Sequence, residues 1–171
     1  MTRYLIHECD VCRALNASLS ARVARLGNRD ILRRSHYLGG RYENLYVTPE
    51  ALPGIGTVLD SARLAASLFL ARDAEVLRIG WWLNVMQPGE MTYAHTHDDA
   101  DELLSGVYYI DVPPNSGRLV MHRGECREEI EPRAGTFVLF APDVLHEVTC
   151  NDSDRARISV GFNFGAVETA A

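Results

Sequence analysis

About eight short runs rich in β-branched and aromatic residues follow Ala74, and their regular spacing constrains the fold more than any other feature of the chain. Turn-forming groups such as QPGE, PPNSG, PRAG and NDSD separate the runs at intervals of roughly ten residues, a spacing typical of a sandwich or barrel. The runs are EVLRIGWWLNVM, MTYAHTH, LLSGVYYIDV, GRLVMHR, EEIEP, GTFVLF, LHEVTC and RARISVGFNF. They predict an all-β core over residues 74–165, folded as a double-stranded β-helix, the cupin-like jelly roll.

The part of the chain before this core, residues 1–73, is predicted to be mainly helical. Two stretches carry apolar residues at near-helical spacing. They are Ala14, Leu15, Leu19, Val23 and Leu26 in the first stretch, and Val58, Leu64, Leu68 and Leu70 in the second. The segment between them, YLGGRYENLYVTPEALPGIG, is rich in Gly and Pro, which argues against regular structure there. We expect one domain, residues 1–171, in which the N-terminal helices flank the roll.

Charge and composition exclude several function classes. Seventeen basic residues against 23 acidic ones give a formal net charge of −6 without a basic stripe, so we expect neither nucleic acid nor a membrane surface as partner. No apolar run approaches the ~18 residues of a membrane span, and the N-terminus lacks a signal-peptide pattern. We expect a cytoplasmic protein that is able to form a homodimer.

The four cysteines do not form the framework of a small secreted domain, which also favours a reduced compartment. Cys9 and Cys12 are spaced like a redox or zinc pair, but a second pair to complete a zinc site is missing. We therefore interpret them as two small residues near the first helix.

Two histidines one residue apart, His95 and His97, form the most informative motif. If MTYAHTH is a strand, both imidazoles project from one face and can share a divalent metal, although paired surface histidines without a metal are also common. His146, at the start of a later strand, would add a third ligand and leave other coordination positions open. His97-x-Asp99 offers a competing two-histidine-one-carboxylate element, and the residues alone leave both ligand sets open.

The last predicted strand separates polar from apolar residues. Arg157, Ser159, Gly161 and Asn163 alternate with four apolar residues, so a period of two places them on one face. This face is either exposed to solvent or lines a wet cavity of the roll.

Taken in order, these motifs resemble the iron(II)- and 2-oxoglutarate-dependent dioxygenases, in particular small bacterial members. The matching segments are His95-Thr96-His97, residues 104–109, Pro113, residues 116–119, Gly135, residues 146–148 and residues 157–163. The likeness covers roughly residues 81–164. The prolyl hydroxylases are similar in the same places, and that comparison puts His97 where they carry a carboxylate.

The resemblance implies Fe(II), bound by His95, His97 and His146, with O2 as oxidant and 2-oxoglutarate as co-substrate. It implies that Arg157 and Ser159 hold the far carboxylate of 2-oxoglutarate, because a guanidinium offers paired donors and the serine hydroxyl adds a third. Tyr109 and Asn84 are possible further contacts, and Arg155 is the alternative anchor. The implied reaction oxidises, most simply hydroxylates, a small molecule or peptide and yields succinate and CO2.

Two other interpretations stay open at this level. The pattern G-x5-H-x-H-x4-E is present as Gly89, His95, His97 and Glu102, which resembles a cupin metal site with Glu102 as an added ligand. Such a protein would be a metal dioxygenase that needs no 2-oxoglutarate. The remaining interpretation is a non-catalytic jelly roll that binds a metal or a small ligand.

Overall fold

The computed structural model describes residues 4–98 and 101–167 and contains eleven strands within these ranges. The strands are β1 Tyr4–Glu8, β2 Ile31–Leu38, β3 Arg41–Val47, β4 Leu77–Met86, β5 Thr92–His95, β6 Leu104–Asp111, β7 Leu119–Arg123, β8 Cys126–Ile130, β9 Thr136–Phe140, β10 His146–Val148 and β11 Arg157–Ala166. The helices are α1 Asp10–Arg13, α2 Asn16–Val23 and α3 Ile55–Leu70, with 3-10 turns at Pro49–Ala51 and Ala74–Val76.

The strands form two antiparallel sheets. The major sheet has the order β1-β9-β6-β11-β4-β3-β2, and the minor sheet has the order β5-β10-β7-β8. Because strands of the core alternate between the two sheets along the chain, they wind into a double-stranded β-helix. The predicted jelly roll is confirmed.

The N-terminal part departs from the prediction, because it contributes three strands to the major sheet as well as the three α-helices. Strand β1 pairs with β9, and β2 and β3 form a hairpin that extends the sheet beyond β4. Gly39 and Gly40, with φ of 58° and 85°, form the two-residue turn of this hairpin. The expectation of irregular structure in this segment was wrong, because the glycines mark a tight turn between two strands.

Helix α3 packs through small residues. Its buried positions follow a helical stripe and are Ile55, Val58, Ala62, Ala65 and Ala66. The predicted apolar side was wrong at Leu64 and Leu68, which are 61% and 78% exposed. Within the described residues, no helix is both long and apolar enough to cross a membrane.

The two faces of the major sheet bury different sets of residues. On one face Ile158, Val160 and Phe162 of β11 join the core that includes the helices. The other face looks into the space between the sheets, where Tyr109 and Phe140 belong to a second apolar cluster. The polar side of β11 therefore faces the interior of the roll.

Candidate metal centre and co-substrate pocket

A cavity between the two sheets collects nearly all the polar side chains that the sequence singled out. It is lined by Glu43, Asn44, Trp82, Asn84, Thr92, His95, His97, Gly106, Val107, Tyr109, Leu119, Phe140, His146, Val148, Arg157, Ser159 and Gly161. Of the two possibilities left open for the polar face of β11, the structure shows the one in which this face lines a cavity.

Three histidines converge at the minor-sheet wall of this cavity. His95 and His146 are directly paired across β5 and β10, which brings their side chains together. His97 follows the end of β5, so the prediction that both His95 and His97 lie within the strand was wrong. A hydrogen bond from the His97 backbone N–H to the Pro142 carbonyl, 2.8 Å long, holds it in place. The ligand nitrogens of the three imidazoles lie within 4.8 Å of one another.

Hydrogen bonds orient two of these rings for metal binding. The Nδ1 atom of His95 lies 2.8 Å from the Tyr93 carbonyl, and Nδ1 of His146 lies 2.9 Å from the Val144 carbonyl. Because a carbonyl oxygen only accepts, each Nδ1 must carry the proton, which leaves the lone pair on Nε2. Backbone carbonyls commonly fix metal-binding histidines in this way.

Burial keeps two of the imidazoles neutral. It lowers the pKa of His97 from 6.5 to about 3 and that of His146 from 6.5 to about 4, and the neighbouring histidines add to both shifts. Phe140 packs against His146 with ring centroids 4.7 Å apart, and Trp82 lies 5.8 Å from His97. Neutral imidazoles have their lone pairs available, so a metal need not displace protons from these two rings.

Among the described residues, no alternative carboxylate ligand is part of this cluster. Asp99 lies outside the described residues. Asp98 is exposed, and Glu102 is half-buried and does not line the cavity. In the ranges 4–98 and 101–167, the metal-binding cluster consists of three histidines without a carboxylate. Three imidazoles suit Fe(II) as well as zinc, copper and nickel.

At the major-sheet wall, Arg157 is a buried cation without an acidic partner in the described part of the chain. Its side chain is 4% exposed, and Nη1 donates only to backbone carbonyls, at 3.3 Å from Gly117 and 3.5 Å from Ser116. Its Nε atom, the Tyr109 hydroxyl and the Ser116 hydroxyl are buried without a hydrogen-bond partner. Burial lowers the pKa of Arg157 and raises that of Tyr109. A buried guanidinium beside two hydroxyl groups without hydrogen-bond partners would bind an anion that accepts hydrogen bonds.

The other predicted co-substrate contacts lie in a row beside Arg157. Ser159 on β11 is opposite Asn84 on β4 and opposite Tyr109 on β6. The Asn84 side-chain oxygen accepts a hydrogen bond of 3.3 Å from Arg41. Arg155, by contrast, is exposed and faces Asp111 at 3.7 Å outside the cavity.

Sequence reasoning missed the part of the cavity wall that comes from the β2–β3 hairpin. Glu43 and Asn44 of β3 line the cavity and are 4% and 8% exposed. Burial raises the pKa of Glu43, although Arg41 opposes this shift. The signal that could have located these residues is the Gly39-Gly40 pair between two β-rich runs, which is typical of a hairpin.

Comparisons with known proteins agree with this arrangement. The model of the family described as "Putative 2OG-Fe(II) oxygenase" matches residues 80–130. This segment runs from within β4 to the end of β8 and includes the His95-x-His97 motif. Over this segment the chain is therefore similar to the 2-oxoglutarate- and iron(II)-dependent oxygenases. No curated protein sequence matches this chain significantly.

Solved structures share the fold of this chain across almost its whole length. A Pseudomonas putida prolyl-4-hydroxylase is 23% identical with a TM-score of 0.63, covering 97% of this chain and 89% of that one. A Trichoplax adhaerens prolyl hydroxylase, in complex with a hypoxia inducible factor peptide fragment, is 13% identical and has a TM-score of 0.73. The match covers 96% of this chain and 84% of that one. EvdO2 from Micromonospora carbonacea, complexed with 2-oxoglutarate, is 16% identical and has a TM-score of 0.66. The match covers 99% of this chain and 88% of that one.

Proposed function

We propose that this protein is an iron(II)- and 2-oxoglutarate-dependent oxygenase that hydroxylates a small molecule or a peptide, with succinate and CO2 as co-products. In this proposal His95, His97 and His146 hold Fe(II), and Arg157 anchors 2-oxoglutarate with the help of Ser159, Tyr109 and Asn84. When bound, the metal and the co-substrate supply the oxidising power that transfers one atom of O2 to a C–H bond.

The observation that carries the proposal is the buried Arg157 without an acidic partner in residues 4–98 and 101–167, in the same cavity as three metal-binding nitrogens. A buried guanidinium is costly unless an anion pairs with it. 2-Oxoglutarate has a carboxylate for the guanidinium at one end and a keto acid that chelates metals at the other. One molecule can therefore satisfy both groups.

The remaining residues of the cavity position the co-substrate and exclude water. Ser159 presents a hydroxyl on the same strand face as Arg157 and can donate to the same carboxylate. Phe140 and Val148 supply apolar surface near His146, and Trp82 covers His97. A dry pocket strengthens the charge interactions within it and protects reactive species from side reactions. Two of the neighbours are prolyl hydroxylases, one with a bound peptide, which supports a peptide as one substrate class.

Binding of 2-oxoglutarate to the Fe(II) protein under anaerobic conditions tests the proposal. We expect a visible charge-transfer band when the keto acid chelates the metal. Arg157→Gln should weaken 2-oxoglutarate binding by roughly 30-fold or more, because removing one partner of a buried charge pair costs about 2 kcal/mol at least. The Fe(II) affinity measured without 2-oxoglutarate should change little, since Arg157 lies on the opposite sheet from the histidines.

Arg155→Gln is the matched control, because Arg155 lies two residues away on the exterior. It should bind 2-oxoglutarate like the wild type. If Arg155→Gln weakens binding and Arg157→Gln does not, the anchor is misassigned. If neither the band nor 2-oxoglutarate consumption is seen with the wild type, the proposed function is wrong.

A further inference from the structure

We propose that Glu43 binds an amino group of the substrate. This inference rests on the proposed function, since it assigns the end of the cavity that 2-oxoglutarate does not use. It concerns a residue of the N-terminal hairpin, far in sequence from the histidines and from Arg157.

Glu43 is a buried carboxylate with one oxygen, Oε1, that accepts no hydrogen bond. Its side chain is 5% exposed and lines the cavity, and its Oε1 atom is inaccessible to solvent and accepts no hydrogen bond. The nearest cation, Nη2 of Arg41, lies 3.6 Å from Oε1, which is beyond hydrogen-bond length. A buried acceptor without a donor is costly, so a ligand that donates here gains affinity.

Thr92, which also lines the cavity, forms a side-chain hydrogen bond with the Glu43 carboxylate, but Oε1 itself accepts no hydrogen bond. The Nδ1 atom of His95 is engaged with the Tyr93 carbonyl, and its Nε2 atom carries the lone pair for the metal. 2-Oxoglutarate is itself a dianion, which a carboxylate repels. Strand β3 is also two strands away from β11 in the sheet, a separation of about 10 Å at ordinary strand spacing. Glu43 is therefore placed to meet the substrate and not the co-substrate.

The local charge favours a cation. Arg41 lies 3.6 Å from Glu43 and 3.5 Å from Glu90, so two carboxylates share one guanidinium. Arg41 also donates to Asn84 and Thr92, which divides its donors further. The resulting excess of negative charge selects an ammonium group over a hydroxyl. Trp82, which lines the same cavity, adds an aromatic surface of the kind that attracts ammonium ions.

The test compares benzylamine with benzyl alcohol, two probes of one shape that differ in the charged donor. Binding to the anaerobic protein loaded with Fe(II) and 2-oxoglutarate is measured by calorimetric titration to millimolar concentration. We expect benzylamine to bind more tightly, and Glu43→Gln to weaken it by about tenfold or more. Glu102→Gln is the matched control: it removes a carboxylate that does not line the cavity and should leave benzylamine affinity within about twofold.

Three results would overturn the inference: equal binding of the two probes, no binding of benzylamine, or benzylamine binding that survives Glu43→Gln. The last result would mean that the amine ligates the metal directly. Thermal unfolding of Glu43→Gln shows whether the variant is folded. The same two probes are also titrated into the protein loaded with Fe(II) but without 2-oxoglutarate. A preference for benzylamine in this titration supports the role of Glu43 even if 2-oxoglutarate does not bind, so the two proposals can fail separately.

Discussion

At the scale of single residues, the cavity combines two incomplete arrangements. His95, His97 and His146 place three imidazole nitrogens within 4.8 Å of one another, and Arg157 presents a buried positive charge with no carboxylate partner among the described residues. Burying a guanidinium in this way is costly unless an anion pairs with it. In the proposed function, a metal held by the histidines and a chelating dicarboxylate held by Arg157 would complete the two arrangements together.

The histidines also predict how the metal-free protein responds to acid. His97 and His146 bind protons in the unfolded chain below about pH 6.5 but in the folded chain only near pH 3 and pH 4. Unfolding therefore takes up protons between these values. The free energy of unfolding should fall as the pH drops from about 6.5 toward 4, by about 1.4 kcal/mol per pH unit for each histidine.

Urea unfolding of the metal-free protein at several pH values measures this slope. His146→Gln should remove about half of it, whatever its effect on stability at neutral pH. Identical slopes in the wild type and in this variant would contradict the assignment of His146 as a buried neutral histidine.

At the scale of elements, strand register decides which residues reach the cavity. The two-residue alternation along β11 was readable in the sequence, so Arg157 and Ser159 could be placed on one face before their surroundings were known. The hairpin turn at Gly39-Gly40 was present but was interpreted as a loop. The position of Glu43 near His95 depends on the order β4-β3 and on the approach of the two sheets, which local patterns do not encode.

The contact between β4 and β11 depends on a glycine. A Cβ atom added at Gly161 would lie 2.6 Å from Cζ2 of Trp82, so Gly161→Ala must displace the indole from its place beside His97. We expect a loss of stability of about 1–3 kcal/mol, a changed tryptophan fluorescence spectrum and weaker metal binding.

Gly80→Ala is the control for this contact. Gly80 lies in the same pair of strands, but an added Cβ there meets its nearest atom, the Asn163 carbonyl oxygen, at 3.8 Å. This variant should bind metal like the wild type. Equal effects of the two substitutions would mean that glycine flexibility, and not the space for Trp82, is what matters at Gly161.

At the scale of the whole molecule, the site joins the two sheets. The histidines belong to the minor sheet and Arg157 to the major sheet, so a metal with 2-oxoglutarate would bridge them. The roll itself was predictable because turn signals recur at short intervals through the last hundred residues. The place of β1 and of the β2–β3 hairpin in the major sheet was not, because their partners there, β9 and β4, lie further along the chain.

Ligand binding should therefore stabilise the entire protein. With Zn(II) or Mn(II) at about 100 times its dissociation constant, we expect roughly 2.7 kcal/mol of stabilisation and a Tm increase of roughly 5–10 °C. His95→Gln should lose this increase, while His7→Gln, on exposed β1, should keep it. 2-Oxoglutarate should add a further increase in the wild type but not in Arg157→Gln. An increase that persists in His95→Gln would place the metal elsewhere.

The position of β11 between β6 and β4 has a consequence for biosynthesis. Ten of the chain's residues, Arg157–Ala166, fill the middle of the major sheet, yet they leave the ribosome after both of their neighbours. Until β11 is synthesised, the facing edges of β6 and β4 lack their hydrogen-bonding partner. Unpaired strand edges of this kind can pair with other chains and promote aggregation. Chaperone dependence during translation would thus be a cost of placing Arg157, the proposed co-substrate anchor, on β11.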